Sequence, residues 1–314
     1  MDNQTVTEFI LMGFTDIRWL QILLFFLLLC AYLLSLAGNL VIISITLVDH
    51  RLQTPMYFLL RNFSFLEIGV TSTTIPKVLF NLVSGTKSIS VAGCFAQCLF
   101  YVIVGTTEFF LMAAISFDRY MAICKPLHYA SIMNSQLCRQ MVLGSWLLSS
   151  VYVISPFIIY FQLPLCGPYV IDHFFCDTVP LLKLACMDIQ YLEILIFLLA
   201  TGSIVGTFSI TLFSYVNIIS TVLHLPSATG RQKAFSTCSS HLTVVSLSYG
   251  SCIFLYVTPQ GSSRMDLSKG VALFNNAVSP LLNPFIYSLR NKQVKDAVRD
   301  AFRRTMMLAK KPKL

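Results

Sequence analysis

Charge is what this sequence most lacks. Asp, Glu, Lys and Arg make up only 11% of its 314 residues, while hydrophobic residues make up 56%. Soluble domains carry about a quarter charged residues, so too little polar surface remains here for a water-soluble globule, and the lipid bilayer is the expected solvent. Paired C-x-x-C motifs with His partners at ligand spacing are missing too, which sets aside a zinc site despite ten cysteines. No internal repeat or inverted half-symmetry supports a transporter. No Ser-His-Asp or metal-ligand set converges within the apolar segments, so an enzyme is a poor reading and no cofactor is expected beyond a sodium ion. The first twenty residues lack a cleavable signal pattern, and the first apolar helix is expected to serve as a signal anchor. A retinal-bearing pump would need a lysine in the last apolar run, and none lies between Gly270 and Leu289.

What is present is a series of apolar stretches, each long enough to cross the roughly 20-residue hydrocarbon core. They can be drawn at 22–48, 57–81, 94–122, 140–161, 193–220, 237–258 and 269–289, which predicts an all-α, integral membrane bundle of seven helices. Residues 1–21 form an N-terminal segment, 22–289 the helical domain and 290–314 a basic tail. Of 22 Lys and Arg, nine lie between Arg290 and Lys313, and about 16 fall on the C-terminal side of the bundle against six on the other. That bias places the C-terminus inside, facing anionic lipid, and gives nucleic-acid binding little weight. Seven spans then put the N-terminus outside, where Asn3-Gln4-Thr5 is an N-glycosylation acceptor. The similar Asn62-Phe63-Ser64 falls at the inner entry of the second span and is expected to stay unmodified.

Several residues inside this frame carry chemistry. Cys94 opens the third span on the outer side, and Cys166, Cys176 and Cys186 lie in the long loop 162–192. Four cysteines on the oxidising side make two disulfides, with three connectivities open. From Cys94 to Arg119 is 25 residues, about 37 Å of helix, so one straight rod carries the outer cysteine and the inner arginine. In Asp118-Arg119-Tyr120 the arginine can exchange partners at the inner rim. Glu67 and Glu108 are costly in mid-bilayer, which makes them functional candidates. With Asn39 and Asn283 they could hold a sodium ion or share a proton. The bland alternative is a satisfied hydrogen-bond network. Pro284 removes a helix hydrogen bond beside Asn283 and offers a hinge.

Together these residues resemble the rhodopsin-like G-protein-coupled receptors, and local strings narrow the likeness to odorant (olfactory) receptors. Gly38-Asn39 is followed by Leu52-Gln53-Thr54-Pro55-Met56-Tyr57, similar to the family's L-H-x-P-M-Y with Gln53 for the usual His. Met112-Ala113 and Phe117-Asp118-Arg119-Tyr120-Met121-Ala122-Ile123-Cys124 resemble M-A-x-D-R-Y-V-A-I-C. Ser214-Tyr215, then Lys233-Ala234-Phe235-Ser236-Thr237-Cys238-Ser239-Ser240-His241, then Pro280-Leu281-Leu282-Asn283-Pro284-Phe285-Ile286-Tyr287 complete a match that runs nearly end to end. The absence of an extension in the second outer loop and of a His in the upper third helix, where Val102 and its neighbours are apolar, resembles the tetrapod-type class. The resemblance implies disulfides Cys94–Cys176 and Cys166–Cys186, coupling to a stimulatory G protein of the olfactory type that raises cyclic AMP, and residence in the ciliary plasma membrane. It also implies that Asp118, Arg119, Tyr120, Tyr215, Tyr249, Asn283, Pro284 and Tyr287 take part in activation. Three departures stand out: Glu67 replaces the usual Asp, Arg231 stands where many receptors place an acid that holds Arg119, and Tyr249 takes the usual Trp position, followed by Ser251 for Pro.

The expected ligand is a small, mostly apolar odorant bound between the third, fifth, sixth and seventh spans. Tyr101, Val102, Gly105 and Thr106 share one face of the third helix, opposite the facing candidates Ser203, Thr207, Cys252, Ile253, Tyr256, Leu273 and Asn276. Tyr101 stands where aminergic receptors carry an ion-pairing Asp, and no charged residue lies between Cys94 and Thr107. A charged ligand would therefore lose its hydration without a counter-ion. The competing reading, a seven-span transporter with Glu67 and Glu108 as proton relay, has no further sequence support.

Overall fold

A computed structural model describes residues 7–224, 227–257, 262–290 and 292–309. Asn3, and the side chains of Tyr256 and Tyr287, lie outside the described residues. The chain begins with β1 (Glu8–Leu11) and α1 (Arg18–Val48), then α2 (Pro55–Ser84), β2 (Ser88–Ser90), α3 (Val91–Cys124), α4 (Pro126–Ile132) and α5 (Ser135–Phe161). It continues through β3 (Val170–Ile171), α6 (Thr178–Leu182), α7 (Gln190–Leu223), α8 (Ala228–Val257), α9 (Ser262–Leu273), a π-helical turn at Phe274–Val278, α10 (Ser279–Arg290) and α11 (Lys292–Ala309). The seven spans expected from sequence correspond to α1, α2, α3, α5, α7, α8 and the α9–α10 segment. Among the described helices, α1, α3, α5 and α7 are long and apolar enough by composition alone to cross a membrane. Helix α2 is less apolar because it buries Ser64, Glu67, Thr71 and Thr74 against its neighbours.

The helix ends follow local chemistry. Helix α2 starts with Pro55, whose missing N–H costs nothing in a first turn, and stops at Gly85 in the left-handed conformation (φ 70°). The side chains of Ser90 and Asn134 accept the backbone N–H of Gly93 at 3.1 Å and of Leu137 at 2.8 Å, capping α3 and α5.

Packing between the spans is inverted relative to a water-soluble protein. Helix α1 buries Ser35, Asn39, Ile42 and Thr46 along one stripe and exposes Leu33, Leu34, Leu40 and Leu47. Lipid tails are as apolar as leucine, so leucine gains little by turning inward, whereas small and polar residues let helices approach and satisfy their hydrogen bonds there. Helix α3 is the hub, lying against α2, α5 and α7 and reaching α8.

The last span shows proline chemistry directly. Pro284 has no N–H to offer the carbonyl of Pro280 four residues back, and the Asn39 amide of α1 donates to that carbonyl at 3.2 Å. Pro280 likewise leaves the carbonyl of Asn276 without its helix partner, and the backbone widens into the π turn there. Gly38 makes this approach possible, since a Cβ added to it would lie 2.9 Å from the Pro284 Cβ.

At one end of the bundle β1 pairs antiparallel with β2 (Phe9 opposite Ile89) and parallel with β3 (Ile10 opposite Val170). Phe9 and Leu11 point from this small sheet into an apolar cluster with Phe95, Tyr160, Ile171 and Leu181. Cys94–Cys176 ties α3 to the long loop, and Cys166–Cys186 closes that loop on itself, with Cα–Cα separations of 5.4 and 5.1 Å. This connectivity is the one the family resemblance implied.

Candidate functional site

Below the disulfide end lies a small cleft of about 90 Å³ walled by α3, α5, α7 and the short helix α6. Helix α3 contributes Cys98, Val102 and Thr106, spaced by one helical turn so that all three face the same way. Helix α5 contributes Tyr152, Val153, Pro156 and Phe157. Pro156 has no N–H to offer the carbonyl of Tyr152, so α5 lacks one helix hydrogen bond along this wall. Leu181 and Leu182 close the cleft from α6, and Ile196, Leu199, Ala200 and Ser203 from α7. Among the described residues, no Asp, Glu, Lys, Arg or His lines it. Two of its hydroxyls are engaged within the protein: the Tyr160 hydroxyl donates to the Leu181 carbonyl, and Ser203 Oγ donates to the Ala200 carbonyl at 2.8 Å.

Of the residues expected at the ligand, the structure brings Val102, Thr106 and Ser203 together in this cleft. Thr207 stands a turn below Ser203, donating to its carbonyl at 2.8 Å. Tyr101 belongs to a different neighbourhood. Its ring packs edge-on against Phe175, centroids 4.8 Å apart, and its hydroxyl accepts from the Asn276 amide at 3.4 Å. Asn276 in turn accepts from Thr74 at 3.3 Å, and Leu273 packs with Phe174 and Phe175. Phe175, adjacent to the disulfide at Cys176, thus stands on one side of α3 while the cleft lies on the other. Gly105 has open space where a Cβ would be, Cys252 is half-buried and Ile253 is exposed. The fourth span, absent from the expected wall, forms a large part of it. The interior proline of α5 was the sequence signal for it.

Two acids lie near each other in mid-bundle. The Asn283 amide donates to Glu67, and Glu108 lies within electrostatic reach of Glu67. Glu108 Oε1 and Asn283 Oδ1 are buried without a hydrogen-bond partner among the described residues. Asn39 is not part of this set, because its amide goes to the carbonyls of Ser35 and Pro280.

At the far end of α3, Arg119 Nε donates to Asp118 Oδ2 at 3.0 Å, and the Tyr129 hydroxyl of α4 donates to Asp118 Oδ1 at 2.9 Å. Both members of this ion pair are buried. Burial, reinforced by the Asp118 carboxylate, raises the Tyr129 phenol above its ordinary range and keeps it a donor. Tyr120 packs between Phe117 and Phe213. From α7 the Tyr215 hydroxyl meets His241 Nδ1 of α8 at 2.6 Å with the rings stacked. Tyr249 lies between Phe109 and Phe208, ring centroids 5.1 and 5.2 Å away. Tyr129 and His241 received no role from sequence, although both stand beside residues that did.

The loop at the disulfide end is electrostatically unusual. His173 is fully buried, stacked on Phe174, and neither ring nitrogen meets a partner among the described residues. Burial, and to a lesser extent nearby Lys269, holds its imidazole down at about 4. Burial likewise raises the Asp177 carboxyl, although the Thr178 N–H that it caps works against this.

A family profile described as olfactory receptor matches residues 28–305. The chain is 52% identical to olfactory receptor 6C1 of Homo sapiens, over 98% of this chain and 98% of that protein. It is 54% identical to olfactory receptor 6E1 of Mus musculus, over 95% of this chain and 96% of that one. The crystal structure of squid rhodopsin has the same fold, with a TM-score of 0.66 over 95% of this chain and 90% of that one at 17% identity. A seven-helix bundle of the rhodopsin kind, an olfactory-receptor match across nearly its whole length and relatives that are receptors rather than enzymes lead to one conclusion: the chain is a multi-pass membrane protein of the olfactory receptor family.

Proposed function

We propose that this chain binds a small, mostly apolar volatile odorant in the cleft of α3, α5 and α7 and relays its presence to a heterotrimeric stimulatory G protein of the olfactory type, raising cyclic AMP. The observation that carries this reading is the construction of the cleft. Among the described residues it is free of charged side chains, and two of its walls, α3 and α7, are the helices that carry Arg119 and Tyr215 at their other ends. A neutral ligand enters without a desolvated charge to compensate. By filling space beside Val102, Thr106 and Ser203 it favours the arrangement of α3 against α7 that it fits, and the equilibrium shifts by its differential affinity. The Arg119–Asp118–Tyr129 and Tyr215–His241 contacts supply the resting arrangement that Arg231 cannot provide by ion pairing.

The same reading places residues 1–21 outside with a sugar on Asn3, residues 22–289 across the ciliary plasma membrane and the basic residues 290–314 against the inner leaflet. Glu67, Glu108 and Asn283 offer oxygens, two of them without donors, which suits a hard cation such as sodium or a shared proton. These residues would hold the ion, and it would compensate their charge.

A cyclic-AMP assay in cells expressing the chain, challenged with a broad odorant panel, tests the proposal. Dose-dependent responses that Val102→Trp removes by filling the cleft are expected. Responses unchanged by that substitution would move the ligand elsewhere, and solute transport by the reconstituted protein would overturn the receptor reading.

A further inference from the structure

A second cleft, of about 360 Å³, lies at the opposite end of the bundle where α1 finishes, α2 begins and α5 takes its first turns. Nothing in the signalling route uses it. Its floor is mostly apolar, with Leu52 and Cys138 buried, Phe58 beside them and the buried Thr46 donating its hydroxyl to the Ile42 carbonyl of its own helix, and its mouth holds Leu47, which is 53% exposed. From that mouth the same face of α1 runs on to the exposed Leu40, toward the middle of the span.

Two guanidinium groups line the cleft. Arg61 is half-buried with its charged carbon 5.1 Å from the centre of the Phe58 ring, and Arg139 is exposed near the start of α5. No Asp or Glu lines the cleft, and neither arginine has an ion-pair partner among the described residues. Other arginines at this end do: Arg51 holds Asp49 and Asp300, Arg119 holds Asp118 and Arg299 holds Asp296. The cleft is therefore amphipathic, with a positive rim, an apolar floor and a mouth that opens toward hydrocarbon. A soluble anion would leave the floor and mouth unused. A sterol would leave both charges uncompensated. An anionic phospholipid uses each part, since guanidinium forks match phosphate oxygens and an acyl chain continues along α1.

We propose that this cleft binds one anionic phospholipid of the cytoplasmic leaflet, its headgroup phosphate held by Arg61 and Arg139 and its acyl chain lying against Leu47. The leaflet follows from the orientation proposed above, whereas the binding chemistry stands without it. Native mass spectrometry of the purified full-length receptor, titrated with a phosphatidylinositol phosphate, phosphatidylserine or phosphatidylcholine, tests this. The parent should retain one tightly held acidic lipid in preference to phosphatidylcholine. Arg139→Gln, an exposed and structurally mild change, should weaken that retention about tenfold, the value of one charge-assisted contact. Leu47→Trp should also weaken it by crowding the mouth without altering charge, and Arg61→Lys should retain part of it. Arg303→Gln, an exposed change in α11, should leave it intact. Equal retention by Arg139→Gln and the parent overturns the proposal. So does an equal loss with Arg303→Gln, which assigns the lipid to the tail. Displacement by free inositol phosphate as effective as by lipid, or by cholesterol, overturns it in favour of a soluble anion or a sterol.

Discussion

The two ends of the helix bundle are built from different interactions. The disulfide end is fixed by two covalent bridges, a three-stranded sheet and close-packed aromatics such as Phe14 on Phe174, centroids 4.3 Å apart. The arginine end packs apolar side chains too, such as Met121 on Met133 and Cys138, but it has no disulfide among the described residues and is crossed by exchangeable polar contacts: Arg119 to Asp118, Tyr129 to Asp118, Tyr215 to His241. Covalent bonds and apolar packing have one arrangement and lose much when it is broken, whereas hydrogen bonds can be exchanged for others of similar strength. The first end suits a frame that shapes a cleft, the second an element with two states.

The contrast breaks most completely at the disulfides. Cys94→Ser and Cys176→Ser should each abolish surface expression, because losing a native disulfide costs about 2–5 kcal/mol. Cys30→Ser, at an exposed free thiol, should express normally in the same flow-cytometry assay. At the other end Arg119→Ala should leave expression and odorant binding near the parent's while eliminating the cyclic-AMP response. A mutant that signals equally at matched surface level would remove Arg119 from the relay.

Acid should loosen the disulfide end first. His173 is held at about 4 against an ordinary value near 6.5, so the unfolded chain binds a proton that the folded loop refuses. Stability is therefore complete above about pH 6.5, falls by up to about 3 kcal/mol as pH drops toward 4, and levels off below. Thermal denaturation of the purified receptor across pH should show this window, and His173→Phe should flatten it. Lys269 and Asp172, paired at 2.6 Å beside the ring, are the charged groups that tune it.

Within the bundle, Gly38→Ala should destabilise by about 1–3 kcal/mol through overpacking against Pro284. Gly144→Ala, where a Cβ meets nothing within 4 Å, should be neutral or slightly stabilising in the same melting experiment. The smallest effect is expected at the switchable end. Tyr129→Phe removes one hydrogen bond to Asp118 and should raise basal cyclic AMP about fivefold, for a contact of about 1 kcal/mol.

Much of the molecule was legible before its structure. The third span, drawn from Cys94 although α3 itself starts three residues earlier at Val91, the arginine at its far end and the long loop with three cysteines follow from spacing and apolar runs alone. Glu67 and Glu108 were singled out by their cost in the bilayer and grouped with Asn283, whose amide is hydrogen-bonded to Glu67. Asn39 was placed with the same cluster, yet Pro284 frees a carbonyl that claims it. Tyr101 and Val102 were read as one face, but they stand about 100° apart on the helix, enough for Phe175 and α2 to take one and the cleft the other.

Sequence by itself determined how many segments cross the bilayer, which end carries cysteine and which carries basic charge, because hydrophobic length and charge act locally and need no partner. Only the tertiary structure decided which way each helix turns, that the fourth span walls the cleft, and which side chain meets which orphan carbonyl. A helix that is apolar on every side, in a solvent as apolar as leucine, does not encode its own rotation. That rotation is set by Ser35, Asn39, Gly38 and residues like them, whose partners lie up to 241 positions away along the chain.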